Sequence, residues 1–221
     1  MSWTLPNVLT LFRLVAAPCV ALVFLFVPRP FADWAALILF LFAALTDFAD
    51  GYLARVWEQT SRFGAMLDPI ADKAMVMIAL FALVALNGLR LEILLPATII
   101  VFREVFVAGL REFLGNDAKT LKVTFLAKWK TTAQMIAIAV LFAKGIVAHA
   151  LIERSIGMDP ALMEAIRLGQ EPDLFGLNRL EWLLDATRSG GEALLWIAAL
   201  LTLITGWDYF AKARPYLKEP T

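Results

Sequence analysis

Apolar residues along this chain run in blocks about as long as a bilayer is thick, separated by short polar connections. A helix crossing the hydrocarbon core needs ~20 mostly apolar residues. Six stretches qualify, at about 8–27, 34–54, 66–87, 91–112, 131–150 and 192–212. The first three connections are short, so consecutive helices are expected to pack antiparallel. The fifth and sixth blocks are separated by a longer acidic stretch, 151–191, read as an extracytoplasmic loop insertion. Within it, Pro160–Arg167 and Leu177–Asp185 space their apolar residues as helices do. They predict two short amphipathic helices at the membrane interface. The fold class expected is an all-α integral membrane protein of six transmembrane helices with short amphipathic helices in the outer loop, one domain over 1–221. No pair of broken segments recurs in the two halves, as an inverted-repeat transporter would show.

Composition agrees. Of 221 residues, 61% are hydrophobic and 18% charged, against ~45–50% and ~25% in a soluble domain. The formal net charge is zero, which gives no reason to expect nucleic acid as a partner. Cys19 is the single cysteine, so no disulfide can form within one chain. The start has no cleavable-signal pattern; Pro6-Asn7 leads directly into the first apolar block. Lysine and arginine set the expected orientation. With the N-terminus cytoplasmic, the inner connections hold Arg55, Arg62, Arg111, Lys119, Lys122, Lys128 and Lys130, and the C-terminal end holds Lys212, Arg214 and Lys218. The opposite short loops hold Arg29 and Arg90. Both termini are therefore expected in the cytoplasm.

Four aspartates interrupt this apolar pattern. Asp47 and Asp50 lie three apart near the inner end of the second block, and Asp68 and Asp72 lie four apart at the start of the third. Each pair shares a helix face. A short loop joins the two blocks, so the pairs can face one another across a groove near the cytoplasmic surface. Ionisable groups at membrane depth are costly and point to function. Four mutually repelling carboxylates call for bound cations, and oxygen-only ligands suit Mg²⁺, with Mn²⁺ also suitable. The set is large enough for two ions clamping a phosphoryl group. Gly51 and Gly64 allow close backbone approach, and Arg55 stands one turn beyond Gly51 to meet a phosphate oxygen. This describes a nucleotide-diphosphate site. The structural alternative pairs the aspartates with Arg55, Arg62 and Lys73 or sets them as helix caps.

The spacing Asp47-x2-Asp50-Gly51-x2-Ala54-Arg55-x8-Gly64-x3-Asp68-x3-Asp72 resembles the signature of the CDP-alcohol phosphotransferases. The resemblance implies a six-helix membrane enzyme, a homodimer, that moves a phosphoalcohol unit from a CDP-linked donor to an acceptor hydroxyl and releases CMP. It implies that Asp47 and Asp68 bridge two metals, that Asp50 binds the first and Asp72 the second, and that Asp72 is also the catalytic proton acceptor. It further implies that Gly51, Arg55, Ser61 and Gly64 contact the cytidine diphosphate. The opening Pro6-Asn7-Val-Leu-Thr10-Leu-Phe-Arg13 resembles the family's amino-terminal element, so Asn7 and Thr10 are expected in the nucleotide pocket; alone, either could cap the first helix.

A second polar set concerns the acceptor. Arg103-Glu104 lies well inside the fourth block, Arg111 follows about two turns later, and Lys128 and Lys130 open the fifth. A membrane arginine must face the protein interior or a wet cavity. A basic cluster beside a carboxylate–metal site suggests an acceptor that carries its own phosphate. Positive-inside bias or attraction to anionic lipid is the alternative for the Lys119–Lys130 run. The form Phe63-Gly-Ala-Met-Leu-Asp68-Pro-Ile-Ala-Asp72-Lys73, with Arg103-Glu104 and Lys130-Thr-Thr-Ala-Gln134-Met, is most similar to the bacterial branch of the family that makes phosphatidylglycerophosphate. It implies CDP-diacylglycerol as donor, sn-glycerol 3-phosphate as acceptor held by Arg103, Arg111, Lys128 and Lys130, and a bacterial inner-membrane location. The rivals are a CDP-diacylglycerol-dependent cardiolipin synthase, a relative using inositol phosphate or serine, and, from another class, a cation transporter. His149, at the outer end of the fifth block, is expected to have no chemical role.

Overall fold

The structure, a computed structural model, describes residues 5–56, 62–115, 117 and 125–217; the side chains of residues 5, 6, 47–56, 62, 125 and 127 are not described. It is all-helical over these residues. The helices are α1 (Leu5–Phe26), α2 (Phe31–Val56), α3 (Arg62–Asn87), α4 (Leu91–Leu114), α5 (Phe125–Ser155), α6 (Pro160–Arg167) and α7 (Leu177–Ala213), followed by a 3-10 turn at Arg214–Leu217. Five helices of the described chain are long and apolar enough to cross a membrane, so this is a multi-pass membrane protein. The described apolar part of α2 is shorter, Phe31–Thr46. Pro18, Pro69 and Pro96 lie inside helices, as membrane helices tolerate.

Between helices in lipid, close packing replaces the hydrophobic drive, and small residues let backbones approach. The core follows that rule. Ala16 and Ala17 of α1, Ala36 and Ala43 of α2, Ala79 of α3, Ala137 of α5 and Ala198 of α7 are buried among Phe40, Leu80, Leu83, Ile100, Ile138, Leu141 and Phe142. α1 packs on α2 and α3, while α7 packs on α5 and α4; α2 meets α5 and joins the two groups. Gly191 brings α7 close to α5, since a Cβ there would come within 2.8 Å of the Leu141 side chain.

The 151–191 stretch departs from the sequence reading in one respect. α6 forms as expected, with Asp159 capping the Ala161 N–H at 2.9 Å. Leu177–Asp185 is not a separate amphipathic helix. It is the first part of α7, which continues without a break through Ser189-Gly190-Gly191 into the membrane segment. Thr187 and Ser189 donate back to carbonyls one turn earlier, at 2.7 and 2.6 Å, and stay within the helix. Asp173 accepts from the Leu177 and Asn178 N–H groups and fixes where α7 begins. Arg167 then donates to Glu181 at 2.8 Å and ties α6 to α7. His149 faces Glu153, one turn along α5.

The end of the bundle where α2 begins and α3 ends is stapled by polar pairs. Asp33 is 1% exposed and accepts both Arg29 Nε and Nη2 at 2.7 Å. Lys144 donates to Asn87, and Arg90 reaches Glu192 at 3.1 Å. Gly145 lies directly against the Arg29–Asp33 pair. A Cβ there would overlap the Asp33 carboxylate and stand 2.7 Å from Arg29 Nη2. Because Asp33 is fully buried, it has nowhere to retreat. Gly145→Ala is expected to destabilise the fold by about 1–3 kcal/mol, read as a lower thermal midpoint in detergent; an unchanged midpoint would show that the seam between α2 and α5 is looser than described.

Candidate active site

The opposite end of the bundle begins with a seam between α1 and α3. Thr10 and Arg13 sit one turn apart on α1, and Asp68 and Asp72 sit one turn apart on α3. The helices run parallel here, so the two ladders meet rung by rung. Thr10 Oγ1 donates to Asp68 Oδ1 at 2.6 Å. Arg13 donates to Asp72 Oδ1 at 2.8 Å and to Asp68 Oδ1 at 3.2 Å. Arg13 is 1% exposed, while the aspartate side chains are 50% and 57% exposed. The guanidinium is thus the buried partner, and the carboxylates look outward from it. Asn7 is buried on α1, and Gly64 is buried on α3 one turn before Asp68. Thr10 lies inside α1 and donates to Asp68, so it does not cap the helix.

Beyond this seam opens a cavity of about 630 Å³. Arg13, Asp72 and Lys73 form one wall; Arg103, Glu104 and Arg111 of α4 and Lys128, Lys130 and Gln134 of α5 form another; Thr205, Asp208 and Tyr209 of α7 complete it. Its lining carries six cations (Arg13, Lys73, Arg103, Arg111, Lys128, Lys130) against three carboxylates (Asp72, Glu104, Asp208). Glu104 organises the basic side. Its Oε1 accepts from Lys130 Nζ in a close ion pair and from Arg103 Nη1 at 3.1 Å. Arg103 also reaches Thr205 Oγ1 at 3.4 Å. Gly206 makes room for its stem, because a Cβ there would lie 2.9 Å from Arg103 Cγ. Asp208 is paired with Lys212 at 2.6 Å.

The structure therefore gathers Asp72, Arg103, Arg111, Lys128 and Lys130, which the sequence had placed in two separate sets, around one space. Asp68 stands beside it, held by Thr10 and Arg13. Asp47, Asp50, Gly51 and Arg55 lie on the helical backbone of α2, but their side chains are outside those described, and Ser61 lies outside the described residues. Asp68 and Asp72 make their described side-chain contacts with α1; the expected groove between the two aspartate pairs depends on Asp47 and Asp50, whose side chains lie outside those described. Sequence reasoning missed three contributions. Arg13 belongs to the amino-terminal motif, but an arginine two turns into a membrane helix is itself a signal. Glu104, beside Arg103 in sequence, gives no local sign that it also pairs with Lys130. Thr205, Asp208 and Tyr209 carried no local pattern.

Among the described residues no three His, Cys, Asp or Glu side chains gather closely enough to hold a metal ion. Asp68 and Asp72 nonetheless fit half of a hard-cation site. They are oxygen donors on one helix face, accessible to solvent, with no soft ligand beside them. A complete site needs further carboxylates, and α2 carries Asp47 and Asp50 in sequence.

The chain has relatives among known proteins. Residues 3–163 match the family described as CDP-alcohol phosphatidyltransferase; α7 lies beyond the match. A protein of Cereibacter sphaeroides named CDP-diacylglycerol–glycerol-3-phosphate 3-phosphatidyltransferase is 56% identical over 99% of both chains. Proteins of the same name from Rickettsia bellii and Escherichia coli K12 are 35% identical over 96% of both chains, and 43% identical over 63% of this chain and 76% of theirs.

Arg13→Ala is expected to loosen the α1–α3 seam. Breaking a buried pair costs about 3–5 kcal/mol, and the loss should fall below that because both carboxylates are half exposed. The measurement is the thermal midpoint in detergent against Arg13→Lys, which keeps the charge and should recover part of the loss.

Proposed function

This chain belongs to the CDP-alcohol phosphatidyltransferase family, and on that premise we propose that it transfers the phosphatidyl group of CDP-diacylglycerol to sn-glycerol 3-phosphate, giving phosphatidylglycerophosphate and CMP. The observation that carries the acceptor assignment is the cavity whose wall holds Asp72 on one side and surplus positive charge on the other. An acceptor with a hydroxyl at one end and a phosphate at the other spans such a space. The name borne by the Cereibacter sphaeroides relative supports the same donor and acceptor.

In this reading Asn7, Thr10, Gly51, Arg55, Ser61 and Gly64 hold the cytidine diphosphate portion. Arg103, Arg111, Lys128 and Lys130 hold the phosphate of the acceptor, and Glu104 keeps Lys130 and Arg103 in place. Asp72 takes the proton from the primary hydroxyl. That oxygen attacks the phosphorus bearing diacylglycerol, a new P–O bond forms, the P–O bond to CMP breaks, and CMP leaves. Arg13, by engaging Asp72 from its buried side, orients the carboxylate toward the cavity. Asp47, Asp50, Asp68 and Asp72 would hold two Mg²⁺, or Mn²⁺, which when bound neutralise charge developing on the diphosphate. The acyl chains leave between helices into the bilayer. The full architecture is six transmembrane helices, with α2 as the sixth span, in a homodimer of the bacterial inner membrane. Both termini and the site face the cytoplasm, where glycerol phosphate is available.

The test is a radiolabel assay of the purified protein with CDP-diacylglycerol, Mg²⁺ and separate acceptors. Glycerol 3-phosphate should give product and CMP, and phosphatidylglycerol, inositol phosphate and serine should not. Product formed from phosphatidylglycerol instead would make this a cardiolipin synthase, and turnover in excess EDTA would remove the metals from the mechanism. Asp72→Asn should lower kcat by at least about a hundredfold while donor binding persists; near-normal kcat would dismiss it as the base. Lys128→Ala should raise KM for glycerol 3-phosphate about tenfold and leave the donor KM within about twofold. Lys128 is the cleaner choice because it is exposed, whereas loss of Lys130 would also strip Glu104 of its close partner.

A further inference from the structure

Arg111 ends α4 as an exposed side chain with no ion pair among the described residues. Its one described side-chain partner is the ring of Tyr209 on α7, with the guanidinium carbon 5.2 Å from the ring centroid. Tyr209 is 6% exposed and fixed among Val107, Leu110, Leu114 and Ala213. A long, exposed arginine therefore lies on a buried, packed aromatic face, and both residues line the cavity. Arginine carries about 2 kcal/mol of rotamer entropy, and ordering it before the ligand arrives strengthens binding. Among the described residues the Tyr209 hydroxyl makes no hydrogen bond, and the contact with Arg111 is made by the ring.

We propose that Tyr209 is a positioning residue for acceptor selection: its ring presets the Arg111 guanidinium for the phosphate of the acceptor. The inference rests on the acceptor reading given above and deepens it. It assigns to α7, which lies beyond the family match, a part in choosing the substrate. It also separates the ring from mere core filling, because packing alone would change stability and not acceptor affinity.

The experiment compares purified full-length wild type, Tyr209→Leu and Tyr209→Phe in the radiolabel assay, with glycerol 3-phosphate varied and then CDP-diacylglycerol varied. Tyr209→Leu should raise the acceptor KM about five- to tenfold, with kcat and donor KM within about twofold. Tyr209→Phe keeps the aromatic face and should stay within about twofold of wild type throughout. In an Arg111→Ala background, Tyr209→Leu should add no further rise. An unchanged acceptor KM in Tyr209→Leu, an equal rise in donor KM, or a Phe variant as impaired as the Leu variant would overturn the proposal while leaving the acceptor reading intact. A wild type that makes no glycerol-phosphate-dependent product would overturn both.

Discussion

A guanidinium sealed inside a membrane protein must be paired, and the pairing of Arg13 sets the geometry of this one. Removing such a charge from water is expensive unless opposite charge meets it with good hydrogen bonds. Arg13 meets Asp72 and Asp68 together, and Thr10 adds a third bond to the same ladder. These contacts lock α1 parallel to α3 and fix which way the two carboxylates look. The buried side of each aspartate is committed to protein; Asp72 also lines the cavity, and Asp68 keeps an exposed side. Structure and reactivity thus share one set of atoms, and the seam cannot be loosened without disturbing the site.

Glu104 plays the complementary part on the far wall. It collects Lys130 and Arg103 around one carboxylate oxygen, holding together two cations that would otherwise repel. Even so, the cavity lining retains more positive than negative charge, as a site awaiting an anion should. The two ends of the bundle then divide the labour. Polar pairs at one end, around Asp33, Lys144 and Glu192, are closed on one another. Those at the other end surround a space.

The elements whose period is strong were legible in advance. The apolar blocks became α1, α3, α4 and α5 with ends moved by a few residues, and α6 formed over the expected Pro160–Arg167. The reading went astray where two local signals competed. Leu177–Asp185 looks like an independent amphipathic turn, and the following Ser-Gly-Gly looks like a break. Tertiary contact overrides it, because Gly191 fits against Leu141 and the hydroxyls of Thr187 and Ser189 bond within the helix.

What the chain alone determined is what depends on spacing along one helix: the membrane class, the paired aspartates three and four residues apart, and the presence of basic residues too deep to be ornamental. Period and turn are local properties, and one strand of sequence carries them fully. What only the folded structure decided is which helices meet. That Arg13 closes on Asp68 and Asp72, that Glu104 binds Lys130, and that Tyr209 underlies Arg111 are contacts between helices far apart in sequence. Their selection is made by close packing and charge balance across the whole bundle, and no local pattern records it.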